Sequence, residues 1–534
     1  MKSYTKYFTL AFAAVSMVAC NDLDTEPLGS TITSQQKADV VAANPEMAAA
    51  GLEGLPQSAK LIMSNYDVHT DFGVASMFLI TDSRGMDMYS LNIGYNWYSA
   101  AAEMGDFAGN YYDNLLFWNT YYKMIKSSND LLDGTPSGDD VADEIKFYRS
   151  QSYAFRAYAY LNLAQMYQFT YAKNPEAPTV PLITDENMVE VGMNGCPRAT
   201  GVEIYEQINS DIDRAIELLE QVPSTVIPSK RFINLAAAYG LRARTLLFMQ
   251  NWSDASKAAD KAIELAKANG LSPYTIAEAS VPGFASISDH NIMWAIENLS
   301  TESFTQGVVN FASMMGSWMS NGYCSTGTYR MINKNLYEEI PSSDVRKGWW
   351  LDANANPSST MPATYKAYIA SCVGKGSEFL PYTQVKFAAA STGPGTPNGA
   401  TDVPLMRIEE MYLIKAEAEG MIAPATGAQT LSAFIKTYRD SNYSYSSSSA
   451  SELQDEIWKH RRLELWGEGF SYFDMMRLQK TLDRRGSGID PAWVFVVAPD
   501  DPVLIYEIVQ PEVEANKLLG EYLNGASVPM PVSD

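Results

Sequence analysis

Histidine and cysteine are scarce in this chain. Its 534 residues include three histidines (His69, His290, His460) and four cysteines (Cys20, Cys196, Cys324, Cys372). No C-x-x-C pair occurs, which removes the common zinc modules and thioredoxin-like redox chemistry. None of the histidines lies near a G-x-S-x-G elbow, and neither a P-loop nor a G-x-G-x-x-G follows a strand-like segment. No metal and no cofactor is expected. Positive charge is also short, with 39 Lys and Arg against 62 Asp and Glu for a net charge of −23. Binding a phosphate backbone requires a basic face, so no nucleic acid partner is expected. Beyond the N-terminus, no uninterrupted apolar run reaches the roughly 18 residues of a membrane-spanning helix.

What is present describes a folded chain, with 46% hydrophobic and 19% charged residues. Its length exceeds one ordinary domain and is ample for a large core. The N-terminus carries Lys2 and Lys6 and then an apolar stretch over 7–19, the order of a secretory signal. Met17-Val18-Ala19-Cys20 reads as a lipobox, so residues 1–19 are expected to be a signal peptide and Cys20 a lipidated first residue. Asp22, Asp24 and Glu26 follow it and suit a surface-export address better than attraction to an anionic membrane.

Helical periodicity dominates the remainder. In KRFINLAAAYGLRARTLLFMQNWSDASKAADKAIELAKANG (230–270), a first helix runs through Met249 and Asn251-Trp252 turns the chain. Ala255, Ala259, Ala262 and Leu265 then mark one stripe of a second helix, and Gly270 is a plausible stop. Two helices with small residues where they cross is the tetratricopeptide (TPR) pattern. Segments 113–132 and 144–169 form another pair, 201–222 leads into the first, and 403–421 and 452–479 form a late pair. Between 271 and 402 periods are short, and Ser, Thr, Gly, Asn and aromatics prevail. The expected fold is dominated by α-helix: a TPR-like helical-repeat core of about four helix pairs with a large, irregular, loop-rich insertion carrying little β. The expected divisions are 20–270, 271–402 and 403–534.

Several motifs in order resemble the SusD/RagB family of outer-membrane nutrient-binding lipoproteins. They are RSQSYAFRAYAYLNLAQMY (149–167), RATGVEIYEQINSDIDRAIELL (198–219), the Asn-Trp unit, NIMWAIEN (291–298), SSDVRKG (342–348), VPLMRIEEMYLIKAEAEG (403–420) and RRLELWGEGFSYFDMMRL (461–478). The loop FTYAKNPEAPTVPL after the first motif departs from the family pattern. The resemblance implies a non-catalytic, lipid-anchored protein of the outer membrane. It would bind glycan or peptide at the cell surface and pass it to a SusC-like TonB-dependent transporter. The repeats would face the transporter, and the insertion with the N-terminal loops would form the ligand side.

The residues themselves allow three uses: glycan binding, glycan hydrolysis, or a TPR scaffold for proteins alone. Glu464 and Glu468 share a helix face and resemble a carboxylate pair for hydrolysis. Neighbouring Arg407, Arg461, Arg462 and Arg477 favour ion pairing instead, and arginine-paired carboxylates make poor general acids. Sugars present apolar faces rimmed by hydroxyls, which Trp and Tyr rings beside polar groups match. Two aromatic clusters supply the expected ligand-binding residues: Asp82, Arg84, Asp87, Tyr89, Tyr95, Trp97 and Tyr98 in the first, and Trp318, Asn321, Tyr323 and Tyr329 in the second, which also holds Arg330. Trp349 and Trp350 form a third aromatic cluster. Trp118, Trp252, Trp294, Trp458 and Trp466 sit in helical motifs and read as core.

Overall fold

The computed structural model describes residues 33–533 apart from 65, 139, 521 and 522. The signal peptide, Cys20 and the acids after it lie outside the described residues. Helix α1 (Val74–Arg84) is buried along its whole length. Its last turn carries Asp82 and Arg84, two residues expected on the ligand side. The long helices α2 (Tyr112–Asp133), α3 (Asp143–Tyr167) and α4 (Gly201–Gln221) pack successively. Helix α4 opens with a capping box, Thr200 and Glu203 satisfying each other's backbone N–H groups. Helices α5 (Leu235–Phe248) and α6 (Trp252–Ala268) are the pair read from the Asn-Trp unit. Asn251 caps α6 by accepting the Asp254 N–H, and Ala255, Ala259 and Ala262 are buried. Gly270 stands just beyond α6 with φ +77.

The late helices are α7 (Ile408–Ile422), α8 (Pro424–Tyr438), α9 (Ala450–Glu464) and α10 (Ser471–Arg477). Helix α8 has no counterpart in the sequence reading, because Thr426, Gly427 and Ser432 dilute its helix propensity. Proline at its first turn and burial of Ala428, Leu431, Phe434 and Ile435 against α7 and α9 stabilise it nonetheless. Segment 452–479 was expected as one helical stretch and is two. Gly467 and Gly469, at φ +79 and +77, turn the chain between α9 and α10.

Among the described residues the strands are short. Strand β1 (Met88–Tyr89) and strand β2 (Ile292–Ile296) precede β3 (Met331–Ile332) and β4 (Val403–Arg407). Antiparallel pairing joins β2 to β4, from Ile292↔Arg407 to Ile296↔Val403, so residues expected to begin a helix form a strand. The pairing of β1 with β3, Met88↔Ile332 and Tyr89↔Met331, ties the two aromatic loop regions together across more than two hundred residues of chain. A main apolar core runs from Val41 to Leu519, and a second cluster, from Ala312 to Val385, lies wholly within 271–402. The fold is helix-dominated and TPR-like, with an irregular insertion.

Beneath the insertion lies a buried ionic lattice. Arg407 reaches Glu464 at 3.0 Å and Glu468 at 2.8 Å, Arg439 reaches Glu464 at 2.7 Å, and Lys386 reaches Glu468 at 2.6 Å. Burial raises the Glu464 pKa, but Arg439, Arg407 and Arg346 together hold it well below the usual carboxylate range. Glu468 is held low in the same way, by Arg407 and Lys386 against burial. Neither carboxyl carries a proton to donate, so the ion-pair reading of these glutamates holds.

Candidate ligand platform

The β1–β3 pairing delivers loop 90–98 to the loop and turn over 316–330. Four rings meet there. Trp97 and Tyr323 lie edge to face, 6.1 Å between centroids at 77°, and Tyr95 stands 6.2 Å from Tyr323 at 46°. His69 completes the group, 4.7 Å from Trp97 and 5.6 Å from Tyr323, with its Nδ1 hydrogen-bonded to the Tyr323 hydroxyl. Tyr95 is 59% exposed, whereas His69, Trp97 and Tyr323 are half-buried. A half-buried ring is held by packing and still reaches solvent. Burial raises the Tyr323 phenol above its usual range, with the Trp97 indole opposing it. Tyr323 is therefore neutral and both donates and accepts hydrogen bonds, as sugar hydroxyls require. Asn321 is exposed two residues before Tyr323 on the same turn.

Other expected site residues are buried and occupied. Arg84 pairs with Asp106 and donates to Val503 O at 2.5 Å. Asp82 is 2% exposed and accepts only the distant Gly469 N–H, and burial pushes its carboxyl up to about 8. Asp87 receives Nε of Arg462 at 3.0 and 2.9 Å and the Ser471 hydroxyl, clamping β1 to α9 and α10. Tyr98 is enclosed, its hydroxyl 2.9 Å from Ser76 Oγ. Trp318 donates to Phe387 O at 2.7 Å and Tyr329 to Ser377 O at 2.9 Å, both inside the second apolar cluster. Tyr89 is half-buried beside Gly488, away from the four rings. In this arrangement the buried residues hold loops in place, and most of their polar groups are bonded within the protein, Asp82 Oδ1 and Arg84 Nε excepted. Trp349 and Trp350 are likewise core, as are Trp118, Trp294 and Trp466, with Trp252 and Trp458 packed partly buried against it. Cys196, Cys324 and Cys372 are free thiols.

The family model described as "Starch-binding associating with outer membrane" matches residues 58–247, and the one described as "SusD family" matches 326–523. The chain belongs to the SusD family. SusD-like protein P38 of Formosa agariphila is 21% identical over 410 residues, covering 70% of this chain and 73% of that protein. Among solved structures, a SusD-like carbohydrate-binding protein from Bacteroides vulgatus superposes with TM-score 0.73 at 22% identity, covering 90% of this chain and 98% of the other. Surface glycan-binding protein A from Bacteroides thetaiotaomicron, in complex with laminarihexaose, superposes with TM-score 0.61 at 17% identity, over 90% and 99%. At these identities the structural likeness is one of fold. The first SusD match ends with α5 and the second begins just before β3, so the platform takes His69, Tyr95 and Trp97 from within the first and Tyr323 from just outside the second.

His69 was not among the expected ligand-side residues. It lies some thirty residues before Trp97 on a separate loop, and only the folded chain places it under the rings.

Proposed function

We propose that this SusD-family protein captures oligosaccharide on Tyr95, Trp97 and Tyr323, with Asn321 and His69 at the rim. The single observation that carries the reading is the ring cluster itself, with Tyr95 exposed and Trp97, Tyr323 and His69 half-buried around it. Flat apolar sugar faces stack on such rings, and the neutral Tyr323 hydroxyl and the Asn321 amide complete hydrogen bonds to the rim of hydroxyls. Capture is binding without turnover, since the only carboxylate pair considered for hydrolysis is locked in the ionic lattice. The protein would then act at the cell surface, tethered to the outer membrane through lipid on Cys20, and deliver its ligand to a SusC-like TonB-dependent transporter. Two or three acyl chains on one cysteine anchor stably where a single chain is marginal.

Calorimetry against a glycan panel tests this. Each stacked ring contributes about 1 kcal/mol, so Trp97→Ala is expected to weaken binding by about fivefold without unfolding the protein. Binding of peptides but of no glycan overturns the sugar assignment. Unchanged ligand binding in Trp97→Ala and Tyr323→Ala together reduces the protein to a scaffold for other proteins.

A further inference from the structure

A buried, unpaired cation is bonded to the residue between two of the platform rings. Arg330, two residues before Ile332 of β3, is 1% exposed. Its Nη1 donates to Asn96 Oδ1 at 3.1 Å, and Asn96 lies between Tyr95 and Trp97 in the chain. Its Nε donates to Met314 O at 3.0 Å, and the preceding Ser313 hydroxyl accepts the Tyr323 N–H at 3.0 Å. The guanidinium is thus bonded to both chain segments that present the rings. Its carbon lies 4.9 Å from the centroid of buried Tyr98, the neighbour of Trp97.

Among the described residues, Arg330 has no carboxylate at ion-pair distance, and its Nη2 has no hydrogen-bond partner. That sets it apart from the other buried arginines. Arg84 pairs with Asp106, Arg346 with Asp344, Arg407 and Arg439 with Glu464, and Arg461 with Asp474. Arg149 and Arg484 also lack a carboxylate, but their donors are spent, those of Arg149 on Leu132 O, Thr135 and the Tyr153 hydroxyl and those of Arg484 on the carbonyls of Ser83, Arg84, Gly85 and Ala102, capping α1. A buried, unpaired charge is unfavourable to folding and persists only where something else offsets it. Burial pulls the Arg330 pKa down to about 10, which still leaves it charged at neutral pH.

We propose that the Tyr95–Trp97–Tyr323 platform selects acidic glycans, chains bearing uronate carboxylates or sulfate esters, whose anionic groups are attracted by the buried Arg330 charge bonded to Asn96 between Tyr95 and Trp97. This rests on the glycan reading above and adds the substrate class. The attraction acts through protein rather than water, so it is weakly screened. Asp67, exposed on the loop of His69, opposes it only through solvent.

The test uses the whole protein and matched ligands: an oligogalacturonate against its methyl ester, and a sulfated galactan oligosaccharide against its desulfated form. Wild-type protein is expected to bind at least one acidic form about tenfold or more tighter than its neutral partner, a ratio that falls little as salt rises because the charge is buried. The pair that shows the preference identifies carboxylate or sulfate as the group recognised. Arg330→Met is expected to bring the ratio near one, and Arg330→Lys to retain part of it. Neutral forms that bind as well as acidic ones overturn the charge selection while leaving the glycan reading intact, as does a preference that survives in folded Arg330→Met. Binding of neither form, or binding indifferent to Trp97→Ala, overturns the platform itself. The wild-type comparison stands even if the Arg330 variants fail to fold.

Discussion

Replacing Asp87 separates a residue that holds the platform from one that touches ligand. Asp87 is 2% exposed and accepts from Nε and Nη2 of Arg462, whose side chain is 13% exposed, and from Ser471. Its own carbonyl takes the Trp466 indole N–H at 2.9 Å, so β1 is bound to the α9–α10 region through side chain and backbone together. Asp87→Ala leaves a largely buried guanidinium without its counter-ion. Breaking such a pair costs about 3–5 kcal/mol, and the residual exposure of Arg462 places this case toward the lower end. Guanidinium chloride unfolding followed by tryptophan fluorescence should show a lower midpoint with an unchanged slope. Calorimetry on the folded fraction should show glycan affinity within about twofold of wild type, because the rings do not depend on the Asp87 carboxylate for contact with sugar. Full stability with lost binding would refute the reasoning and return Asp87 to the ligand site.

Three further outcomes follow from the same contacts. Asp82, raised to about 8 by burial, is protonated in the fold at pH 7 but ionised in the unfolded chain above about pH 4, so its ionisation favours unfolding between those values. Asp82→Asn should therefore be more stable than wild type at pH 8, with the advantage gone at pH 4; equal stability at both would contradict the burial argument. His460 is lowered to about 4, chiefly by burial, with Arg346 also lowering it, so its contribution to stability is present above the unfolded value of about 6.5 and is lost as pH falls toward 4; His460→Gln should flatten that acid limb in thermal melts. Gly469→Ala combines a φ of +77 with a Cβ directed into the Phe78 ring and should cost about 1–3 kcal/mol, read as a lower melting temperature.

Helix-dominated architecture was legible because its signals are local. The alanine stripe of α6, the Asn251 cap and the Gly270 stop each lie within one or two turns of the residues they organise. Helix α8 and strand β4 were not legible. Helix α8 forms because two neighbours cover its Leu431 and Phe434 face, and β4 because β2, over a hundred residues earlier, supplies its hydrogen bonds. The site divides in the same way. Aromatic residues with polar neighbours marked the two loops whose rings come together, but they did not distinguish half-buried Trp97 and Tyr323 from Tyr98 and Trp318, enclosed one or a few residues away.

Composition and motif order by themselves determined the fold class and the family resemblance, since both depend on residue type and short spacing. That Glu464 and Glu468 are ion-paired was legible too, but their partners Arg439 and Lys386 come from distant segments, while Arg461, Arg462 and Arg477 pair with Asp474, Asp87 and Glu417. Tertiary structure alone decided which rings come together, that His69 joins them, and that buried Arg330, bonded to the residue between Tyr95 and Trp97, has neither a carboxylate nor a partner for its Nη2. The physical reason is that exposure and charge compensation are properties of what surrounds a side chain in space, and for these residues the surroundings come from segments as far apart as 69, 97 and 323.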